Sequence, residues 1–236
     1  MTDTLEILRR DIITCRRCPR LVTYRRSVAR TGNRRFPDWD YWAKPVPGFG
    51  DPGARLMLVG LAPAAHGGNR TGRVFTGDRS GDFLMKCLYR VGLANQTRSE
   101  SLDDGLKVYG TYITPVLKCV PPDDRPLAAE LDNCSHFLAR ELFLLDNLRC
   151  VVALGRVAFH RSFRFWQSRY PLKSKDFPFG HGKVHPLPDG RYLVGCYHPS
   201  PRNVNTGRLN ERMMTGLLET ARRLAGITAI SPDPGE

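Results

Sequence analysis

With 36 Lys and Arg against 23 Asp and Glu, this 236-residue chain carries a formal charge of +13, which favours a polyanionic partner. The length suits one α/β domain with a full core. No apolar run of about 18 residues offers a transmembrane helix, and Met1-Thr-Asp-Thr-Leu-Glu6, acidic and without an apolar stretch, does not read as a signal peptide.

The chain opens on an amphipathic helix over residues 2–14, with Leu5, Leu8, Ile12 and Ile13 on one face. Cys15-Arg-Arg-Cys18-Pro follows, then a second, basic helix after Pro19. Residues 32–54 are an extended Pro, Gly and aromatic segment without a clear period. Apolar runs at 56–59, 110–117, 150–154 and 192–197 read as strands. Helical patterns at about 80–92, 126–147, 156–168 and 208–224 lie between and after them. This alternation predicts an α/β fold: a three-layer α/β/α sandwich on a central, mainly parallel four-stranded sheet. No repeat or Pro/Gly linker divides the chain, so residues 1–228 read as one domain and 229–236 as a frayed tail.

Two loops follow strands and carry most of the functional groups. The first is Gly60-Leu-Ala-Pro-Ala-Ala-His-Gly-Gly-Asn-Arg-Thr-Gly-Arg-Val-Phe-Thr-Gly-Asp78. It sits at the carboxyl end of a strand, where open α/β sheets place ligands. Asn69, Arg70 and Arg73 are candidates for phosphate contacts, Phe75 offers a stacking face, and Asp78 is the loop's only acid. Asp78 also reads as the cap of the following helix. The second loop, His198-Pro-Ser-Pro-Arg-Asn-Val-Asn-Thr-Gly207, should meet the first at the same sheet edge. It offers His198, and in Ser200, Arg202 and Asn205 a candidate wedge or backbone clamp.

Seven cysteines in a chain expected to be intracellular argue for metal rather than disulfides. Cys15 and Cys18 are close together, and Cys119 and Cys134 lie far along the chain. If the fold joins them they form a four-thiolate set suited to zinc or an iron–sulfur cluster, which spacing alone does not separate. Cys87, Cys150 and Cys196 fall in regular elements and read as buried free cysteines.

The two loops, together with Trp42-Ala-Lys-Pro-Val-Pro-Gly-Phe-Gly-Asp51, resemble the uracil-DNA glycosylase superfamily, in its type-5, broad-specificity iron–sulfur branch. The resemblance runs from Cys15 to about Ala225. It implies a DNA repair enzyme, acting as a monomer, that flips uracil or another deaminated or damaged base out of double-stranded DNA and hydrolyses its N-glycosidic bond. It places the catalytic aspartate on Asp78 and the second-loop histidine on His198. Asp78 would stabilise the oxocarbenium-like sugar or deprotonate a water, and His198 would donate to the departing base. Phe75 would stack on the base, and backbone N–H groups near Ala62 and Ala65 would bind it. The family's cluster cysteines match Cys15, Cys18, Cys119 and Cys134 and imply a [4Fe-4S] cofactor that staples the N-terminal arm to the sheet. Uracil-specific relatives carry an asparagine where this chain has Pro115. The loss of that polar contact implies relaxed specificity, including hypoxanthine.

Two rivals are weighed against this. A nucleotide-binding enzyme lacks its motif, since the first loop has neither G-x-G-x-x-G nor G-x-x-x-x-G-K-[ST]. A non-catalytic iron–sulfur or zinc DNA-binding module would leave Asp78 and His198 without a task. A bifunctional lyase needs a lysine, and neither loop has one.

Overall fold

The computed structural model describes residues 3–230. Helix α1 (Leu5–Thr14) begins where the Thr4 hydroxyl accepts from the Ile7 N–H, and it buries Leu8 and Ile12, one turn apart. Helix α2 (Pro19–Thr31) has proline at its first position, where no donor is missed, and it buries Leu21 and Arg25.

Among the described residues the sheet has six strands, not four. Its parallel centre comprises β2 (Leu56–Gly60), β3 (Thr111–Pro115), β4 (Cys150–Leu154) and β6 (Tyr192–Cys196). The four expected runs all form strands. Two short antiparallel strands complete the edges, β1 (Phe49–Gly50) beside β3 and β5 (Val184–Pro186) beside β6, in the order β1-β3-β2-β4-β6-β5. The central strands read as continuous apolar runs because helices cover both faces. Met57, Val59, Val151, Ala153 and Leu193 enter one core with α1, with α5 (Ala128–Leu144) and with α6 (Arg156–Gln167). Leu56, Leu58, Val152 and Val194 enter the other, against α4 (Arg79–Arg90) and α8 (Glu211–Ala225). These are the three layers expected from the alternation.

Two short helices interrupt the functional loops, α3 (Gly68–Thr71) and α7 (Pro201–Asn205). The N-terminal arm rests on α5, where Arg140 bonds Asp3 at 2.6 Å and Asp11 at 2.7 Å, and Arg20 pairs with Glu130 at 2.8 Å. Beneath the end of β3, Lys118 and Glu141 form a fully buried ion pair, 2.8 Å apart, with the Thr114 hydroxyl bonded to both. At the other end the Ile230 N–H donates to the Gly92 carbonyl. Attachment therefore continues past the expected start of the tail, and residues 231–236 lie outside the described residues.

Candidate active site

Paired register brings Gly60 and Pro115 side by side at the carboxyl ends of β2 and β3. His198 emerges just beyond β6, two strands away on the same edge. These residues line one cavity with Ala62, Phe75, Asp78 and Asp124. The expected meeting of the two loops at one edge is thus what the chain forms.

Asp78 caps α4: its Oδ1 accepts from the Gly81 N–H at 3.0 Å. Its Oδ2 lies so close to Gly67 that a side chain there would overlap it, which is why the backbone at this point carries none. Burial pushes the Asp78 carboxyl up from its ordinary range, opposed by N–H donation from Gly81 and Ser80. The capping and cavity-lining roles therefore coexist in one side chain. Phe75 adopts a left-handed backbone, φ 51°, unusual for an aromatic residue and a local strain that the surrounding fold holds. Burial pushes the His198 imidazole down to about 4, so it is neutral at pH 7 and carries one N–H to donate. The His198 carbonyl accepts from the Asn203 side chain at 2.8 Å, which ties the histidine to α7.

A second cavity gathers Cys15, Cys18, Cys119 and Cys134 with Arg25, Lys118 and Asn133. Arg25 Nη1 donates to Cys119 Sγ at 2.9 Å, and the Lys118 N–H donates to Cys134 Sγ at 3.3 Å. Among the described residues, no three His, Cys, Asp or Glu side chains group as a single-ion site. Cys87, Cys150 and Cys196 are buried free cysteines, as their places in regular elements imply.

The sequence matches the Uracil DNA glycosylase superfamily over residues 47–222, which spans both functional loops. The chain belongs to that superfamily. It falls in the type-5 branch: a type-5 uracil-DNA glycosylase of Thermus thermophilus is 46% identical over 216 residues, covering 92% of this chain and 96% of that protein. One from Pyrobaculum aerophilum is 47% identical over 215 residues, covering 91% of each chain. A type-4 uracil-DNA glycosylase of Archaeoglobus fulgidus is 27% identical over 202 residues. As a family member this is a DNA N-glycosylase, an enzyme that hydrolyses N-glycosidic bonds.

The glycosylase fold corrects part of the sequence-based site. Asn69, Arg70 and Arg73 do not face a phosphate backbone; each is at most 5% exposed. The loop winds into α3 and turns these side chains inward. Asn69 Nδ2 donates to the Arg25 carbonyl at 3.2 Å. Arg73 pairs with Asp104 at 2.6 Å and donates to Thr76 and Ser99. Arg70 bonds the carbonyls of His66 and Gly77. Ala62 lines the cavity of Asp78 and His198, whereas Ala65 lines an adjoining one that shares Ala64, Asp78, Arg79 and Asp124 with it. Arg202 and Asn205 are exposed on α7, beside the cavity-lining Ser200 and Pro201. Sequence reasoning missed Asn203 and Asp124. The first had a local signal, since the Ser200 hydroxyl starts α7 as a cap and fixes Asn203 one turn on. The second lies after Pro121-Pro122, in a turn where Asp123 and Asp124 both have positive φ, which no residue pattern announced.

Of the helices among the described residues, none is long and apolar enough to cross a membrane.

Proposed function

We propose that this enzyme excises uracil and other deaminated or damaged bases, such as hypoxanthine, from double-stranded DNA in base-excision repair, leaving an abasic site. The observation that carries this reading is the pairing of Asp78 and His198 on one cavity from two strand ends. The C1′–N bond breaks with its electrons passing to the base. The sugar gains positive charge only as this happens, so a carboxylate at Asp78 favours the transition state over the bound substrate. The neutral His198 imidazole donates a hydrogen bond to the base as it gains negative charge. Water supplies hydroxide to C1′, and its proton ends on the base. No lysine lines the cavity, which supports hydrolysis without a lyase step. Pro115, with no side-chain donor or acceptor, lines the wall, which supports a wide choice of bases.

Arg202 and Asn205 are the exposed polar groups we assign to the DNA backbone near the flipped base, and the enzyme is proposed to act as a monomer. Cys15, Cys18, Cys119 and Cys134 are proposed to hold a [4Fe-4S] cluster. The donors from Arg25 and the Lys118 backbone suit thiolate ligands, because hydrogen bonds of this kind stabilise charged sulfur. Cys15 and Cys18 on the arm, Cys119 after β3 and Cys134 on α5 would hold it, and it would link those segments.

The test is a panel of duplexes, each with one altered base, scored for abasic sites in single turnover. Wild type should open uracil and hypoxanthine duplexes. Asp78→Asn should bind them unchanged and release bases about 10²–10⁴ times more slowly. Wild-type rates from Asp78→Asn would reduce Asp78 to a helix cap.

A further inference from the structure

Arg70 is the penultimate residue of α3, 2% exposed, and forms no ion pair with a carboxylate among the described residues. A buried charge is ordinarily paired, so this one needs an account. Its Nε donates to the His66 carbonyl at 2.7 Å and its Nη2 to the Gly77 carbonyl at 3.2 Å. Its Nη1 is buried without a hydrogen-bond partner. The guanidinium carbon lies 3.7 Å from the Phe36 ring centroid and 4.1 Å from that of Trp39. Two aromatic faces therefore take the place of a counter-ion. Gly77, with φ +69°, leaves the room: any side chain there would collide with Nη2.

Both carbonyls that Arg70 holds belong to the seat of Asp78. His66 precedes Gly67, the glycine against which Asp78 Oδ2 lies, and Gly77 precedes Asp78 itself. Charged and titratable groups surround Asp78 on several elements: Arg35, His66 and Asp123 line the adjoining cavity with it. Burial is the main opposition to its ionisation, with Asp82 on α4 adding to it; the Gly81 and Ser80 N–H groups and, more weakly, Arg70 on α3 favour it. Asp124, His198 and Arg79 line the same cavity.

We propose that Arg70 is the positioning residue for Asp78, holding both sides of its seat from inside the loop and adding a buried positive charge behind the carboxylate. Phe36 and Trp39 hold Arg70 in turn, so residues 33–41 act on the chemistry without touching the base. The inference deepens the catalytic reading of Asp78 and rests on it.

The test compares wild type, Arg70→Gln, Arg70→Lys, Asp78→Asn and the double variant Arg70→Gln/Asp78→Asn. Uracil release is followed in single turnover from pH 4 to 9, alongside duplex binding and thermal melting. Removing the cation makes the carboxylate easier to protonate, so the acid limb of the rate profile should move to higher pH. A shift of about one unit corresponds to a tenfold loss on that limb. Arg70→Lys should restore the limb, because the charge returns, but not the full plateau rate, because the two-carbonyl fork does not. Trp39→Leu, nearer the surface, should move the limb the same way by less, which keeps the test open if Arg70→Gln melts too low to assay. In the Asp78→Asn background, Arg70→Gln should cost less than about twofold. An equal loss at every pH, repeated in that background, would overturn the inference and leave Arg70 a packing residue. If Asp78→Asn alone released uracil at the wild-type rate, the catalytic reading itself would fall, and that outcome is visible without any Arg70 variant.

Discussion

The ring centroids of Phe75 and His198 lie 6.2 Å apart and the planes are tilted by 33°, so the two functional loops face each other with aromatic surfaces. On the proposed reading, a base entering the cavity would meet a stacking surface on one loop and a hydrogen-bond donor on the other.

Phe75→Ala should therefore slow uracil release by about tenfold through lost stacking, while overall duplex affinity, set mainly by phosphate contacts, changes little. Single-turnover rates and binding isotherms on the same duplex separate the two. An unchanged release rate would show that the ring only fills space. Because Phe75 holds a left-handed backbone, Phe75→Gly should lose the stacking yet melt no lower than Phe75→Ala.

His198 sets a pH dependence of stability. Burial depresses its folded-state value to about 4, against about 6.5 when unfolded. Between these values the unfolded chain binds a proton that the folded chain refuses, so stability rises with pH through that window and levels above it. Denaturant titrations should show wild type losing up to about 3 kcal/mol from pH 7 to pH 4 through this group. His198→Gln should lose correspondingly less. Parallel curves for the two proteins would contradict the assignment.

The cysteine cavity predicts colour. Protein purified anaerobically should be brown, with about four irons per chain, and Cys119→Ser should lose the visible absorbance. Its helical circular dichroism should persist, because Arg140 and Arg20 tie the arm to α5 independently of sulfur. Colourless, zinc-loaded wild type would defeat the cluster assignment.

The buried Lys118–Glu141 pair predicts an asymmetric mutational response. Lys118→Met leaves an uncompensated carboxylate and should cost about 3–5 kcal/mol. Lys118→Met/Glu141→Leu, which removes both charges, should recover most of that in equilibrium unfolding. A double variant no more stable than Lys118→Met would show that the Thr114 hydroxyl, bonded to both partners, is the group that matters.

What the sequence disclosed follows from how far each signal reaches along the chain. The strands β2, β3, β4 and β6 were legible because burial on both faces writes an apolar run. The strands β1 and β5 were not, since two or three residues hold no period and β5 is mostly exposed. Asp78 and His198 were legible because each follows a strand at the edge where ligands collect. Arg70 was misjudged for the converse reason. A basic residue in a glycine-rich loop looks like a phosphate contact, and nothing local indicates that Phe36 and Trp39, some thirty positions earlier, fold over it. Asp124 escaped because its place in the cavity comes from a turn with two left-handed residues.

The ties between Arg140 and the N-terminal arm join positions as far as 137 residues apart. During synthesis α1 is made before α5, so its docking surface exists only once the residues through Leu144 have followed. Cys15 and Cys18 thus spend most of translation on a segment with nothing to dock against, far from Cys134 in time as well as in sequence. The arm therefore docks later than it is made, and the cysteine cavity closes only after the sheet's first parallel strands have been made.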